Sequence, residues 1–205
     1  SWTWHDHGNP SSKPMVWLDG LDIPLVNMLG ASFRQGDDGD EARRIARPED
    51  DAHLRFGNGV APITHNHRSA TSPLFNYPYA RTREALETMR KAEEWDPCHG
   101  LKLRYVNPVD GGYAMPTIGT FMQMLPKGFQ GKDYRSTDST VYACVEGKGS
   151  VTVNGQRMEF GSKDVFVCPS WMPYRLIAED ESVLFSFSDR PVQQALDLWR
   201  ESFSA

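Results

Sequence analysis

The sequence predicts an all-β fold, an antiparallel barrel or sandwich, on three observations. Short runs between Thr117 and Phe187 alternate apolar and polar residues with the period of two that turns one face of a strand into a core. Gly147-Lys148-Gly149 and Asn154-Gly155 punctuate these runs, and Asn-Gly tolerates the positive φ that a two-residue hairpin turn requires. The third observation is a repeat. Ser1-Trp2-Thr3-Trp4-His5-Asp6-His7-Gly8-Asn9 returns in degraded form as Ser170-Trp171-Met172-Pro173-Tyr174-Arg175-Leu176-Ile177-Ala178. Residues 16–24 line up with 183–191 after a two-residue shift, sharing Val16 with Val183, Asp22 with Asp189 and Pro24 with Pro191. A spacing of about 170 residues is far longer than the roughly 20–50 of a solenoid unit, so the repeat indicates a duplicated domain.

Each element follows in chain order. Residues 1–30 read as the C-terminal end of a first β domain, cut short at Ser1, in which Met15-Val16-Trp17-Leu18 is a short apolar strand leading to Asp19-Gly20 and the Ile23-Pro24 break. Residues 31–112 read as a linker whose first part, to residue 80, is polar and irregular; so long a connection usually wraps another surface or serves a subunit contact. Within it, Ala85, Leu86, Met89 and Ala92 share one face and predict a helix over 82–95, with Glu87 reaching Lys91 at i,i+4 and Asp96-Pro97 ending it. Residues 113–191 hold the predicted strands: 117–125, 140–145, 150–153, 156–160, 165–168, 174–178 and 183–187. Residues 192–205 read as a C-terminal helix carrying Ala195, Leu196 and Trp199 on one side.

Composition narrows the function classes. The chain has 205 residues, 39% of them hydrophobic and 11% aromatic, enough for a buried core. A net charge of −5 without a run of like charges gives no footprint for nucleic acid. No stretch approaches the roughly 18 apolar residues of a membrane span. Cys98, Cys144 and Cys168 are odd in number and lack C-x-x-C spacing, which points away from a disulfide framework or a zinc knuckle and towards a reducing cytoplasm.

Gly128 is followed after five residues by Tyr134, then by Ser136, Thr140 and Gly147; farther on come Pro169-x-Trp171-x2-Tyr174-x3-Ala178. These spacings resemble the two metal motifs of the cupins, jelly-roll β-barrels, with every ligand type replaced, so the second barrel is expected to be metal-free. In the first copy the same frame reads Trp2-x2-His5-x3-Asn9 and the histidine is present, which makes His5 the metal-ligand candidate. His7, two residues on, shares its strand face; it is a fourth ligand, a donor behind the metal, or an acid/base group, the last two being favoured. Asn9 is read as fixing its loop through side-chain hydrogen bonds. Gly59-x5-His65-x-His67 also fits the start of the first motif, but no glutamate follows until Glu84, so the pair is read as loop histidines. His53 and His99 carry no pattern.

A finer resemblance runs the length of the chain. Residues 2–9, residues 17–25, Leu103-Arg104-Tyr105-Val106-Asn107-Pro108 with Gly111-Gly112, and Pro169-Ser170-Trp171 are together similar to the C-terminal portion of the gentisate 1,2-dioxygenase family, which includes salicylate and 1-hydroxy-2-naphthoate dioxygenases. The resemblance implies a bicupin enzyme, commonly a homotetramer, holding Fe(II) with three histidines. His5 matches the third of them, and the H-x-H pair would lie before Ser1, so residues 1–205 alone are expected to be inactive. Substrate and O2 would share the open coordination positions, and the aromatic hydroxy acid would be cleaved between its carboxylated and ortho-hydroxylated carbons. In this resemblance His7 and Asp19 manage or hold the substrate hydroxyl, and Trp17 walls the pocket. Trp17 and Asp19 also fit a plain core tryptophan and an Asp-Gly turn. A non-catalytic bicupin that binds a small molecule or serves assembly is the alternative function.

Overall fold

The computed structural model describes residues 8–9, 11–33, 48, 50–64, 69–92 and 94–203. The chain divides into two compact units, Ser1–Asp37 and Asp38–Ala205. In the first, Asn9 closes a turn with its side chain, Nδ2 donating to the Lys13 carbonyl at 2.8 Å and Oδ1 accepting from the Ser11 amide at 3.1 Å. This is the hydrogen-bonding role its residue type predicts. Helix α1, Ile23–Met28, then starts with Pro24 in its first turn, where the missing N–H would have had no helical partner anyway. The Ile23-Pro24 break is therefore a helix start. Residues 14–22 are irregular, and the strand expected at Met15–Leu18 does not form, because no described segment offers it a paired edge.

The second unit holds two five-stranded antiparallel sheets. Its strands are β1 (Leu101–Arg104), β2 (Gly119–Leu125), β3 (Tyr134–Ser136), β4 (Thr140–Glu146), β5 (Lys148–Val153), β6 (Gln156–Gly161), β7 (Val165–Cys168), β8 (Tyr174–Ala178), β9 (Ser182–Ser188) and β10 (Glu201–Phe203). One sheet runs β1-β2-β9-β4-β7 and the other β10-β3-β8-β5-β6. All seven predicted strands are present. The β5–β6 hairpin turns on Asn154 and Gly155, both with positive φ (46° and 82°), as a type I′ turn demands. Gly147 needs its lack of a side chain more strictly: its φ is +82° and a Cβ there would sit 2.2 Å from the Glu181 carbonyl oxygen.

Alternation decides which face each strand buries. Tyr142, Cys144 and Leu184 point into the barrel with Val151, Phe160, Phe166, Tyr174 and Leu176. On the outer face, Leu101, Met122, Met124 and Val183 pack against Leu86, so β2 is buried on both sides. Leu86 belongs to helix α3, Tyr79–Met89, and its complete burial contributes about 1.5–3 kcal/mol. Helix α2 is the short Asp51–Phe56.

Two predicted helices require correction. The helix expected over 82–95 starts at Tyr79 and ends at Met89. Its last amides tighten to three-residue bonds, Lys91 N to Thr88 O at 3.1 Å and Ala92 N to Met89 O at 2.9 Å, and Trp95 folds back beneath the Arg90 guanidinium, 5.9 Å away. Glu87 pairs with Arg83 at 2.5 Å and Arg90 at 3.3 Å rather than with Lys91. The helix expected over 192–205 is only α4, Arg190–Ala195. After it Asp197 takes a φ of 56°, and Glu201–Phe203 adds to the open edge of β3 in the register Glu201↔Ser136 and Phe203↔Tyr134. An unpaired sheet edge outweighs the weak helical preference of those residues.

Candidate functional site

Of the residues predicted to carry chemistry, His5 and His7 lie outside the described residues, as do His65 and His67. Trp17 and Asp19 lie in the irregular segment before α1, both exposed, Trp17 at 54%. Neither sits in a core.

Tyr134, Ser136, Thr140 and Tyr174, the residues that the resemblance sets at cupin ligand spacings, are all buried. β3 and β8 bring Tyr134 opposite Tyr174, with ring centroids 5.6 Å apart and planes at 80°. The Tyr174 and Tyr142 hydroxyls share a hydrogen bond of 2.8 Å, and Tyr142 stacks on Phe166 at 5.1 Å. Burial pushes the phenols of Tyr142 and Tyr174 well above their ordinary values, and it pushes the Cys168 thiol up to about 12. These groups stay protonated, whereas divalent metals take deprotonated oxygen or sulfur donors or neutral imidazole. Among the described residues no group of three His, Cys, Asp or Glu side chains could hold a metal ion. The donor set of this barrel does not fit Fe(II).

Charge concentrates instead at the end of the barrel closed by the C-terminal segment. The Asp138 side chain is fully buried; its Oδ1 accepts from Trp199 Nε1 at 2.8 Å and its Oδ2 from Arg190 Nε at 3.3 Å. Arg190 lies over the Trp199 ring at 4.6 Å and donates to the Tyr134 hydroxyl, which donates to Glu201 Oε2 at 2.9 Å. Burial raises the Asp138 pKa, but Arg190 and hydrogen bonds from Ser136, Ser188 and Trp199 outweigh it and leave the carboxyl below its usual value.

Lys102 and His99 complete this constellation, and neither stands out in the sequence. Lys102 alternates with Leu101 and Leu103, so its side chain takes the barrel face of β1. Its Nζ lies 5.1 Å from the Phe121 ring and 5.6 Å from the Tyr142 ring. Protein surrounds it although part of its surface stays accessible. The two observations agree if that surface lines the barrel interior. Burial, with Arg190 adding, lowers its pKa to about 7, against weaker opposing pulls from Asp138, Cys168 and Asp96. Burial likewise holds His99 well below its ordinary value, Lys102 and Arg190 adding. The folded pKa of Lys102 lies below its ordinary 10.5, so between those values the unfolded chain binds more protons and stability rises with pH. Lys102→Met, which removes the buried charge, is expected to raise Tm near pH 6 and to lose that advantage as pH climbs towards 10. Thermal unfolding across that range checks it; a pH-independent gain would contradict the assignment.

Comparison with known proteins follows this geometry. The family model described as "Cupin domain" matches residues 120–187. A gentisate 1,2-dioxygenase of Aquipseudomonas alcaligenes is 51% identical over 98% of this chain and 58% of its own length. A 5-aminosalicylate 1,2-dioxygenase of Comamonas sp is 33% identical over 97% of this chain and 53% of its own. Among solved structures, a salicylate 1,2-dioxygenase variant from Pseudoaminobacter salicylatoxidans superposes with a TM-score of 0.84 at 32% identity, over 96% of this chain and 57% of that one. A structure of that organism's enzyme described as adducts with gentisate gives 0.80 at 30% identity, over 90% of this chain and 52% of that one. The chain spans a little over half the length of the curated relatives it matches, in their C-terminal part.

Proposed function

We propose, since this chain belongs to the gentisate 1,2-dioxygenase family, that the whole protein cleaves the ring of an aromatic hydroxy acid, with O2, between its carboxylated and ortho-hydroxylated carbons. The observation that carries the reading is the 51% identity to a gentisate 1,2-dioxygenase over 98% of the chain. It is joined by the contrast between His5 and its counterpart in the repeat, the buried Tyr174.

In this reading His5 is one neutral imidazole ligand of Fe(II), and its partners belong to the part of the relatives that the chain does not span. Bound Fe(II) would supply a Lewis acid and electron relay between ring and O2. The protein's own groups do the rest. His7 exchanges a proton with the substrate hydroxyl, Asp19 orients that hydroxyl through a hydrogen bond, and Trp17 excludes water from one side of the ring. The second barrel, in which the described residues offer no group of three metal-ligating side chains, serves structure and assembly of a homotetramer. Cys98, Cys144 and Cys168 are all unpaired and buried, which supports a cytoplasmic location. Among the described residues no helix is long and apolar enough to cross a membrane.

Anaerobic Fe(II) loading of the full-length protein, followed by O2-electrode assays on gentisate, salicylate and 1-hydroxy-2-naphthoate, tests the reading. Oxygen uptake with at least one substrate is expected. No uptake with any of the three would contradict it and favour a non-catalytic bicupin.

A further inference from the structure

The two sheets end on four edge strands, β1 and β7 in one and β10 and β6 in the other, and a free edge is a template for pairing with another chain. Three of the four carry a device that blunts such pairing. β10 has only three residues and opens on Glu201. β6 carries the exposed charges of Arg157 and Glu159. β1 turns Lys102 inward, onto the Phe121 and Tyr142 rings, and ends on Arg104. β7, Val165-Phe166-Val167-Cys168, contains neither charge nor proline.

Both its outward side chains and its backbone are open. Val165 and Val167 are 50% and 47% exposed. The Cys144 amide donates to the Asp164 carbonyl at 2.9 Å, and bonded and non-bonded positions alternate along an antiparallel pair. Ala143↔Val165 and Val141↔Val167 are therefore non-bonded pairs, so the N–H and C=O groups of Val165 and Val167 point away from β4 and out of the sheet. Among the described residues no strand or loop pairs with them. The apolar surface continues inward from the edge. Register sets Val141 between Val167 and Phe187, and Ala143 between Val165 and Phe185, and these four inner residues are only half-buried.

The symmetry of the edge says what covers it. A second copy of β7, turned antiparallel about a two-fold axis at Phe166, sets Val165 opposite Val167 of the copy, and Val167 opposite Val165. Each of these residues bonds outward, so both pairs exchange N–H···O bonds in both directions. Phe166 then meets its own copy at the non-bonded position, each ring staying in its own barrel core, where it stacks on Tyr142. On the outer face the valines form two directly opposed apolar pairs. Lys163 and Asp164 fall opposite Pro169 and Cys168 of the copy, so no like charges meet. A neutral edge that matches itself in register fits an isologous contact.

We propose that β7 is the edge through which two copies of this chain meet, joined antiparallel about a two-fold axis at Phe166, so that one sheet of each copy runs on into the other. The proposal deepens the homo-oligomer reading given above, on which it rests, by naming the contact.

Light scattering after size exclusion, on the full-length iron-loaded protein, tests it. The unsubstituted protein is expected to be an oligomer. Val167→Lys, which puts a charge on the edge, should show half its mass, while Val167→Thr, neutral and β-branched, should keep it. Iron content and circular dichroism should stay unchanged in both variants, because Val167 is outside the core. A double variant, Val165→Cys with Val167→Cys, reads the register. Directly opposed Cα atoms lie about 5.5 Å apart, within disulfide reach, so air oxidation should give a cross-linked dimer on a non-reducing gel. Each single variant sets its cysteines on the diagonal, roughly 7–8 Å apart, and should not cross-link; the native cysteines are buried. An oligomer whose mass Val167→Lys leaves intact, or whose paired cysteines do not cross-link, would overturn this contact and leave the homo-oligomer reading standing. A monomeric unsubstituted protein would overturn both.

Discussion

Asp138→Ala is expected to destabilise the protein by about 3–5 kcal/mol, because it leaves the Arg190 guanidinium in place without the carboxylate that compensates it. Arg190 is only 16% exposed, and Asp138 is its ion-pair partner at 3.3 Å. The same substitution removes the acceptor of the Trp199 indole N–H, one of the ties that, with the Thr137–Arg200 hydrogen bonds at 2.9 Å, hold the chain between α4 and β10 against the barrel. Weakened docking of β10 should follow, since that strand has three residues and, among the described residues, pairs only with β3. Urea unfolding read by tryptophan fluorescence and circular dichroism measures the change. The pH dependence separates charge from packing. The folded-state pKa of Asp138 is depressed, so its contribution is fully present above the unfolded value of about 3.9 and is lost as pH falls through the folded one. The gap between the two proteins should be constant near neutrality and narrow only in acid. A variant within about 0.5 kcal/mol of the parent, the range of an ordinary surface change, would show that the network does not hold this end of the barrel.

How legible these features were depends on the forces that made them. The strands of the barrel show in the sequence because one face of each is buried and the other is not. In β4 the buried residues Thr140, Tyr142 and Cys144 alternate with half-buried neighbours, and the Asn154-Gly155 hairpin is a local matter of φ. β1, β3 and β10 are three or four residues long, too short for alternation to stand out from chance, and they exist because neighbouring strands offer them edges. β10 also shows tertiary pairing overriding local preference. Tyr134, Ser136, Thr140 and Tyr174 stand out through the resemblance to the cupin metal motifs, and the structure adds that all four are buried. Lys102, His99 and Asp138 were not readable. Their significance lies in what surrounds them, and a single lysine in Leu101-Lys102-Leu103-Arg104 looks like the solvent side of a strand until the barrel closes over it. In the first unit, the expectation at Met15–Leu18 rested on apolar character, which needs a partner strand before it becomes structure.

The largest functional effect is expected at His5. If the first copy of the repeat keeps a metal ligand that the second has exchanged for Tyr174, the two positions should respond oppositely to removal. Losing one of three imidazoles lowers the affinity for a divalent ion by orders of magnitude, because the open coordination positions already hold only exchangeable groups. Tyr174 lies in a buried aromatic cluster, hydrogen-bonded to Tyr142 at 2.8 Å, so its truncation should cost stability, about 3–5 kcal/mol, and not metal. The decisive measurement is iron per chain, by atomic emission, in the full-length protein and in its His5→Ala and Tyr174→Phe variants purified alike. The repeat predicts loss of bound iron, and of ring cleavage with it, in His5→Ala, and unchanged iron in Tyr174→Phe. Equal iron in the two variants would contradict the division of the two barrels into one that holds metal and one that does not.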